Sequence, residues 1–346
     1  MSTEAASTPR SAIATLFPGS FALVMATGIV SIGAFQQGFD LAADALLVVN
    51  AGAYVVLWVL TVTRVVRYPR LAVDDLRSHQ RGAGFLTIVA GTNVLGGQVV
   101  LLTTWTGLAF ALWVLGVVLW VGLTYAFLTA VTVRETKPGL EQGIGGAWLL
   151  LVVSTESIAV LGALLAPAVE ATRGLLLVAL LAHLVGLMLY VLVIGLIFYR
   201  WTFFPLSGEQ VTPPYWINMG ALAITTLAGS NLVLASQGWS ALEELSPFIR
   251  GTTILAWGFA TWWIPLLLLV GVWRHGVQRV PIRYDPQYWS LVFPLGMYAA
   301  STFRLEAALD VGLPSGIATM TFWIAVAAWT VTAVGMAGSA RALGRR

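Results

Sequence analysis

Glu156 is the residue that most needs a chemical explanation. It sits in the middle of the apolar run VVSTESIAV, the one acid placed deep in such a run. An ionised carboxylate in hydrocarbon is costly, so it must be neutralised, paired or hydrated. Three roles are open: a proton-exchanging group, a partner for a base, or a hydrogen-bonded tie between helices. On the wall of a water-filled pore its charge would repel anions, and acid would relieve that repulsion. Hydroxyls recur in similar surroundings at Thr27, Thr92, Thr155, Thr225 and Ser301. They can donate to a partly dehydrated anion, or bond back to their own helix's carbonyls. Asn93 and Asn231 read as interhelical ties, and His183 as a hydrogen-bonded packing residue. The last group is Phe293-Pro294, in YWSLVFPLGMYAAST. A proline there removes a backbone donor and kinks a helix. A bulky ring on a bent wall can close a narrow passage by bulk and dewetting.

The rest of the inventory is mostly exclusions. The chain has 346 residues, 58% hydrophobic and only 10% charged, against about 25% charged in a soluble domain. This is a polytopic membrane composition. With no cysteine, disulfides and thiolate metal sites are excluded. Three histidines (His79, His183, His275) are too few for a multi-haem site. Lys137, the sole lysine, lies between Glu135 and Pro138 in a loop, where no Schiff base in the bilayer is possible. No HExxH, no metal-spaced histidine pair and no cluster of catalytic residue types within one span is present, so an enzyme is not expected, nor any cofactor or metal. The net charge of +3 does not point to nucleic acid. The N-terminus lacks the basic region and cleavage site of a signal peptide.

The elements that must position these groups are helices of about 20 apolar residues, the length that crosses hydrocarbon. Ten such spans are expected at 18–37, 42–64, 83–102, 107–132, 144–166, 174–199, 215–236, 250–273, 288–306 and 314–338. Alternating short and long links make them five hairpins, at 18–64, 83–132, 144–199, 215–273 and 288–338, within one membrane domain covering 1–346. Only Arg173, Arg250 and Arg304 fall on one side; every other basic residue, from Arg10 to Arg345 and Arg346, falls on the other. Basic loops stay in the cytoplasm, so both termini are expected there, in a plasma membrane. Arg304 either draws anions to the outer mouth or snorkels to the interface.

The odd spans repeat. They open at Phe21, Phe85, Trp148, Trp216 and Trp289, then carry small and hydroxyl residues a turn or two later. The even spans are bulkier and rich in Leu, Val and aromatics. The expected architecture is therefore all-α, with the odd helices as an inner ring around a central pore and the even helices outside. Four residues on from each leading aromatic stand Met25, Val89, Val152, Gly220 and Phe293, an approximate ring of wall residues.

FPGSFALVMATGIVSIG and YWSLVFPLGMYAAS resemble the tellurite-resistance/dicarboxylate transporter family, which includes slow anion channels, malate permeases and sulfite efflux pumps. The resemblance runs from about Phe17 to Met336. It implies five inner helices lining a pore, five outside, and a homotrimer with one pore per subunit. It implies transport of small inorganic or carboxylate anions, passively or proton-linked. It also implies that the phenylalanine before the ninth helix's proline is the gate, here Phe293 before Pro294. Among the inner spans only the first and ninth carry proline; the others must bend, if at all, through Gly91, Gly145, Gly146 and Gly220.

Overall fold

A computed structural model describes residues 13–344 apart from 171 and 315. Arg10, Arg345 and Arg346, used above for orientation, lie outside the described residues. Among these the chain is all-helical, with no strand. Its long helices are α1 Ala22–Gln36, α2 Asp40–Arg67, α3 Thr87–Leu102, α4 Thr106–Thr132 and α5 Leu150–Leu165. They continue as α6 Thr172–Phe203, α7 Ile217–Leu234, α8 Ser240–Val272, α9 Trp289–Leu309 and α10 Gly316–Gly344. Helix α8 starts ten residues before the expected apolar span, because an apolar run marks hydrocarbon, not the polar first turns that carry Glu243, Glu244 and Pro247.

Nine of the helical stretches among the described residues are long and apolar enough to cross a membrane. The tenth, α9, has 21 residues, but Arg304, Glu306 and its hydroxyl residues dilute its apolarity. In the odd-numbered stretches 83–94% of the apolar window is buried; in the even-numbered ones only 17–44% is. The exposed residues of the even helices are Val59, Leu192, Leu268 and others like them. An apolar surface of this extent is what lipid solvates, and the molecule is a multi-pass membrane protein.

The packing order follows the repeat. Helix α1 packs on α3, α3 on α5, α5 on α7, α7 on α9, and α9 back on α1. Each even helix lies on its hairpin partner and on the next odd helix, with α10 reaching α1.

Each inner helix is entered through a tight 3-10 turn: Pro18–Phe21, Gly82–Leu86, Gly146–Leu149, Pro213–Trp216 and Pro286–Tyr288. Proline suits such a start, since its missing N–H is one a helix leaves unpaired anyway. The turns touch one another in the same closed order as the helices they begin. At one joint the contact is backbone on backbone: a Cβ on Gly146 would lie 2.3 Å from the Pro214 carbonyl oxygen. Only glycine allows that approach.

Candidate functional site

Two cavities are lined by all five inner helices or their entry turns. The first lies at the helices' N-terminal ends and has a volume of about 420 Å³. Phe17, Gly84, Trp148, Tyr215 and Ser290, one from each repeat, line it together with Arg81 and Arg200. The second, of about 260 Å³, lies toward the C-terminal ends, and Ile29, Asn93, Ser157, Asn231, Met297 and Arg304 are on its wall. No residue of 22–28, 88–92, 151–156, 217–223 or 291–296 lines either cavity. These five segments form a buried plug between the two.

The wall residues expected from the repeat, Met25, Val89, Val152, Gly220 and Phe293, all fall within the plug segments and are all buried. Their facing differs. Ser290 lines the first cavity, and Met297 and Arg304 line the second. They are seven residues apart and so share one helix face, and Phe293, three on from Ser290 and four before Met297, lies on that face. It is 1% exposed. Met25, four before the lining residue Ile29, and Gly220, four before Ile224, sit likewise. Val152 does not: Leu150, Ser157 and Leu164 mark the cavity face of α5, and Val152 is turned well away from it. Pro294 packs against α7, where a Cβ on Gly220 would meet its ring at 2.6 Å. Helix α9 stays α-helical through Pro294.

The hydroxyls and Glu156 are used otherwise than as wall residues. None of them lines either cavity. Trp329 Nε1 of α10 donates to Thr27 Oγ1 at 3.0 Å. Trp120 Nε1 of α4 donates to Thr155 Oγ1 at 2.8 Å. Tyr54 Oη of α2 lies 2.9 Å from Thr92 Oγ1, whose own proton goes to the Ile88 carbonyl. Trp257 Nε1 of α8 donates to Thr302 Oγ1 at 2.9 Å. In each case a polar-tipped aromatic of an outer helix is pinned to the next inner helix. Ser301 only bonds back to the Tyr298 carbonyl.

The remaining outer helix, α6, reaches α7 through Tyr190, whose Oη donates to the Asn218 carbonyl at 3.1 Å, and it also carries His183, which meets Glu156 of α5. Glu156 Oε2 lies 3.0 Å from His183 Nδ1, and Thr225 Oγ1 is 3.1 Å from Glu156 Oε1. Helix α6 comes this close because Gly186 has no side chain; a Cβ there would stand 2.4 Å from Glu156 Oε1. The carboxyl oxygens thus bridge α5 to both α6 and α7. The polar-tipped aromatics were the missed signal: Tyr54, Trp120, Tyr190, Trp257 and Trp329 each tie an outer helix to the next inner one.

Apart from Glu156, the charged groups lie outside the plug segments. Arg64 and Arg81 both pair with Asp75 on the short helix Pro69–Leu76. Burial pushes the Asp75 carboxyl up, but the two guanidiniums outweigh it and hold the carboxyl below its ordinary range. Burial, with the Arg134 and Lys137 charges added, holds the His79 imidazole below its usual value, so it is neutral at pH 7. Arg200 is 1% exposed and donates only to neutral acceptors: the Glu141 and Pro205 carbonyls and Gln210 Oε1. Arg304 donates to Asn231 Oδ1 at 2.7 Å. Neither pairs with a carboxylate among the described residues. Glu141 and Glu209 line the first cavity beside Arg200, whereas the second has Arg304 and no carboxylate on its wall. Sequence reading took Arg200 only as a topology marker. No group of three or more candidate metal ligands occurs among the described residues.

Over residues 15–337 the sequence matches the model of the voltage-dependent anion channel family. It is 22% identical to an uncharacterized transporter of Methanocaldococcus jannaschii over 91% of this chain and 92% of that one. A second uncharacterized transporter of the same organism is 23% identical over 96% of this chain and 95% of its own length. An uncharacterized membrane protein of Mycobacterium tuberculosis is 41% identical over 148 residues, 43% of this chain and 75% of that protein. With the family model covering nearly its whole length, the chain belongs to the voltage-dependent anion channel family.

Proposed function

We propose that the protein carries small anions across the membrane through a path joining the two cavities, and that Phe293 closes this path. One observation carries the reading: two cavities, each lined by all five inner repeats, meet a buried plug in which Phe293 lies on the cavity-facing side of α9. An apolar constriction stops ions without a charged plug. The charge of Arg304, with no carboxylate on the wall of its cavity, favours anions over cations at that end. The family's description, and the transporter names of two full-length relatives, support the same class. All ten long helices, α9 included, cross the bilayer in this reading. The basic loops lie in the cytoplasm with both termini, and the subunits form homotrimers with one path each. The last point rests on the family resemblance.

The test is an anion panel (chloride, nitrate, sulfite, malate and tellurite) in proteoliposomes at two pH values, comparing wild type with Phe293→Ala. Removing the ring raises flux several-fold at equal reconstitution. Equal flux in both sinks the gate, and no anion flux in either sinks the transport reading. A proton-linked carrier using Glu156 was the alternative. The side chain's commitment to His183 and Thr225, off both cavities, gives that alternative no support.

A further inference from the structure

The cavity at the C-terminal ends is mostly hydrocarbon: Ile29, Ile32, Val94, Leu164, Leu227 and Met297 line it. Its polar groups are few, and most are engaged. Asn93 donates to Ser157 Oγ, and Ser157 donates to the Ser154 carbonyl. Asn93 Oδ1 is pressed toward α4, where a Cβ on Gly116 would lie 2.4 Å from it.

Asn231 differs. An arginine Nε–H can only donate, so the atom it meets at 2.7 Å must be the amide oxygen. The orientation of Asn231 is thereby fixed, and its Nδ2 is left with two protons. Asn231 is 2% exposed, and Nδ2 has no protein partner. The two Nη atoms of Arg304 also have no carboxylate. Glu306, the nearest acid in sequence, is occupied by the backbone N–H groups of Gly312 and Leu313.

We propose that Arg304 and Asn231 form a binding site for one singly charged anion in this cavity. The proposal names a site and a substrate class for the transport reading, and rests on it. Inner helices point their C-terminal, partially negative ends to this side, so the cavity without Arg304 would repel anions. One guanidinium balances one negative charge. The apolar wall makes the ligand give up much of its water, a cost that rises steeply with charge and handicaps sulfate or doubly ionised malate. The space holds a small anion with a few waters, each needing about 30 Å³.

Asn231→Asp is the sharpest variant, since it keeps the shape and hands Arg304 a carboxylate that cancels the site's charge. In liposomes we expect its half-saturating nitrate concentration to rise about tenfold, the loss of a hydrogen bond to a charged group. Arg304→Gln should do the same, and both should lose the preference for nitrate over sulfate. With purified full-length protein in detergent, nitrate should raise the unfolding temperature saturably in wild type and not in either variant. Wild-type half-saturation and selectivity in Arg304→Gln overturn the site, whatever Asn231→Asp does, even if that variant fails to fold. Absence of all anion flux in wild type sinks the transport reading instead, and the detergent titration then decides the site alone.

Discussion

At the scale of single residues, most polar groups of the inner helices face outward from the cavities. Glu156 makes the point measurable. His183→Leu leaves a fully buried carboxylate with only Thr225, which should cost about 3–5 kcal/mol in stability. Glu156→Gln keeps a hydrogen-bonding group in place and should cost less. It should also leave the pH profile of flux unchanged, since the carboxyl lines neither cavity. Thermal unfolding in detergent reads the first effect and liposome flux at two pH values the second. Asp75 carries a separate acid dependence. Its folded pKa lies below the ordinary value, so its contribution is complete above about pH 4 and decays as the pH falls through the folded value. Asp75→Asn should loosen the 68–81 loop at neutral pH, seen as faster limited proteolysis, whereas wild type loosens only in strong acid. Sequence made the importance of Glu156 legible from its apolar surroundings. It could not say which side of α5 the carboxylate leaves, because α5 is apolar on every face and gives no amphipathic stripe to orient it.

At the scale of helices, the two layers are joined by at least one polar pin from every outer helix. Replacing the inner partner, in Thr27→Val, Thr92→Val or Thr155→Val, leaves an indole or phenol proton unpaired in the protein interior. Each should lower stability by about 0.6–1.5 kcal/mol, without moving anion selectivity. A selectivity change in any of them would return these hydroxyls to the path. Gly220→Ala acts differently, because its new Cβ must displace the ring of Pro294. We expect about 1–3 kcal/mol of destabilisation from that overpacking. The helices themselves were easy to read, within a few residues for most, since hydrocarbon thickness fixes the length of an apolar run. The entry turns were not read, although the motifs PGSF, GAGFL and PPYW stand in the sequence. Such turns are set by neighbours packing on backbone, as Gly146 on Pro214, and a contact between distant repeats has no local signature.

At the scale of the whole molecule, the repeat read from leading aromatics predicts the packing order, because equivalent segments find equivalent neighbours. The absence of cysteine makes its orientation easy to test. A single cysteine at Lys137, in the basic loop, should react with impermeant thiol reagents only from the cytoplasm. One at Trp105, exposed in the opposite loop, should react only from outside; the reverse pattern would invert the topology. The seating of Pro294 against Gly220 carries a last implication. The backbone beside Phe293 is packed on its neighbour, so the gate proposed above would open by torsion about χ1 and not by swinging a helix. Turning one ring is a more local rearrangement than the collective motion of helices. Current through such an opening would show brief flickers and a shallow temperature coefficient, while the outer five helices kept still.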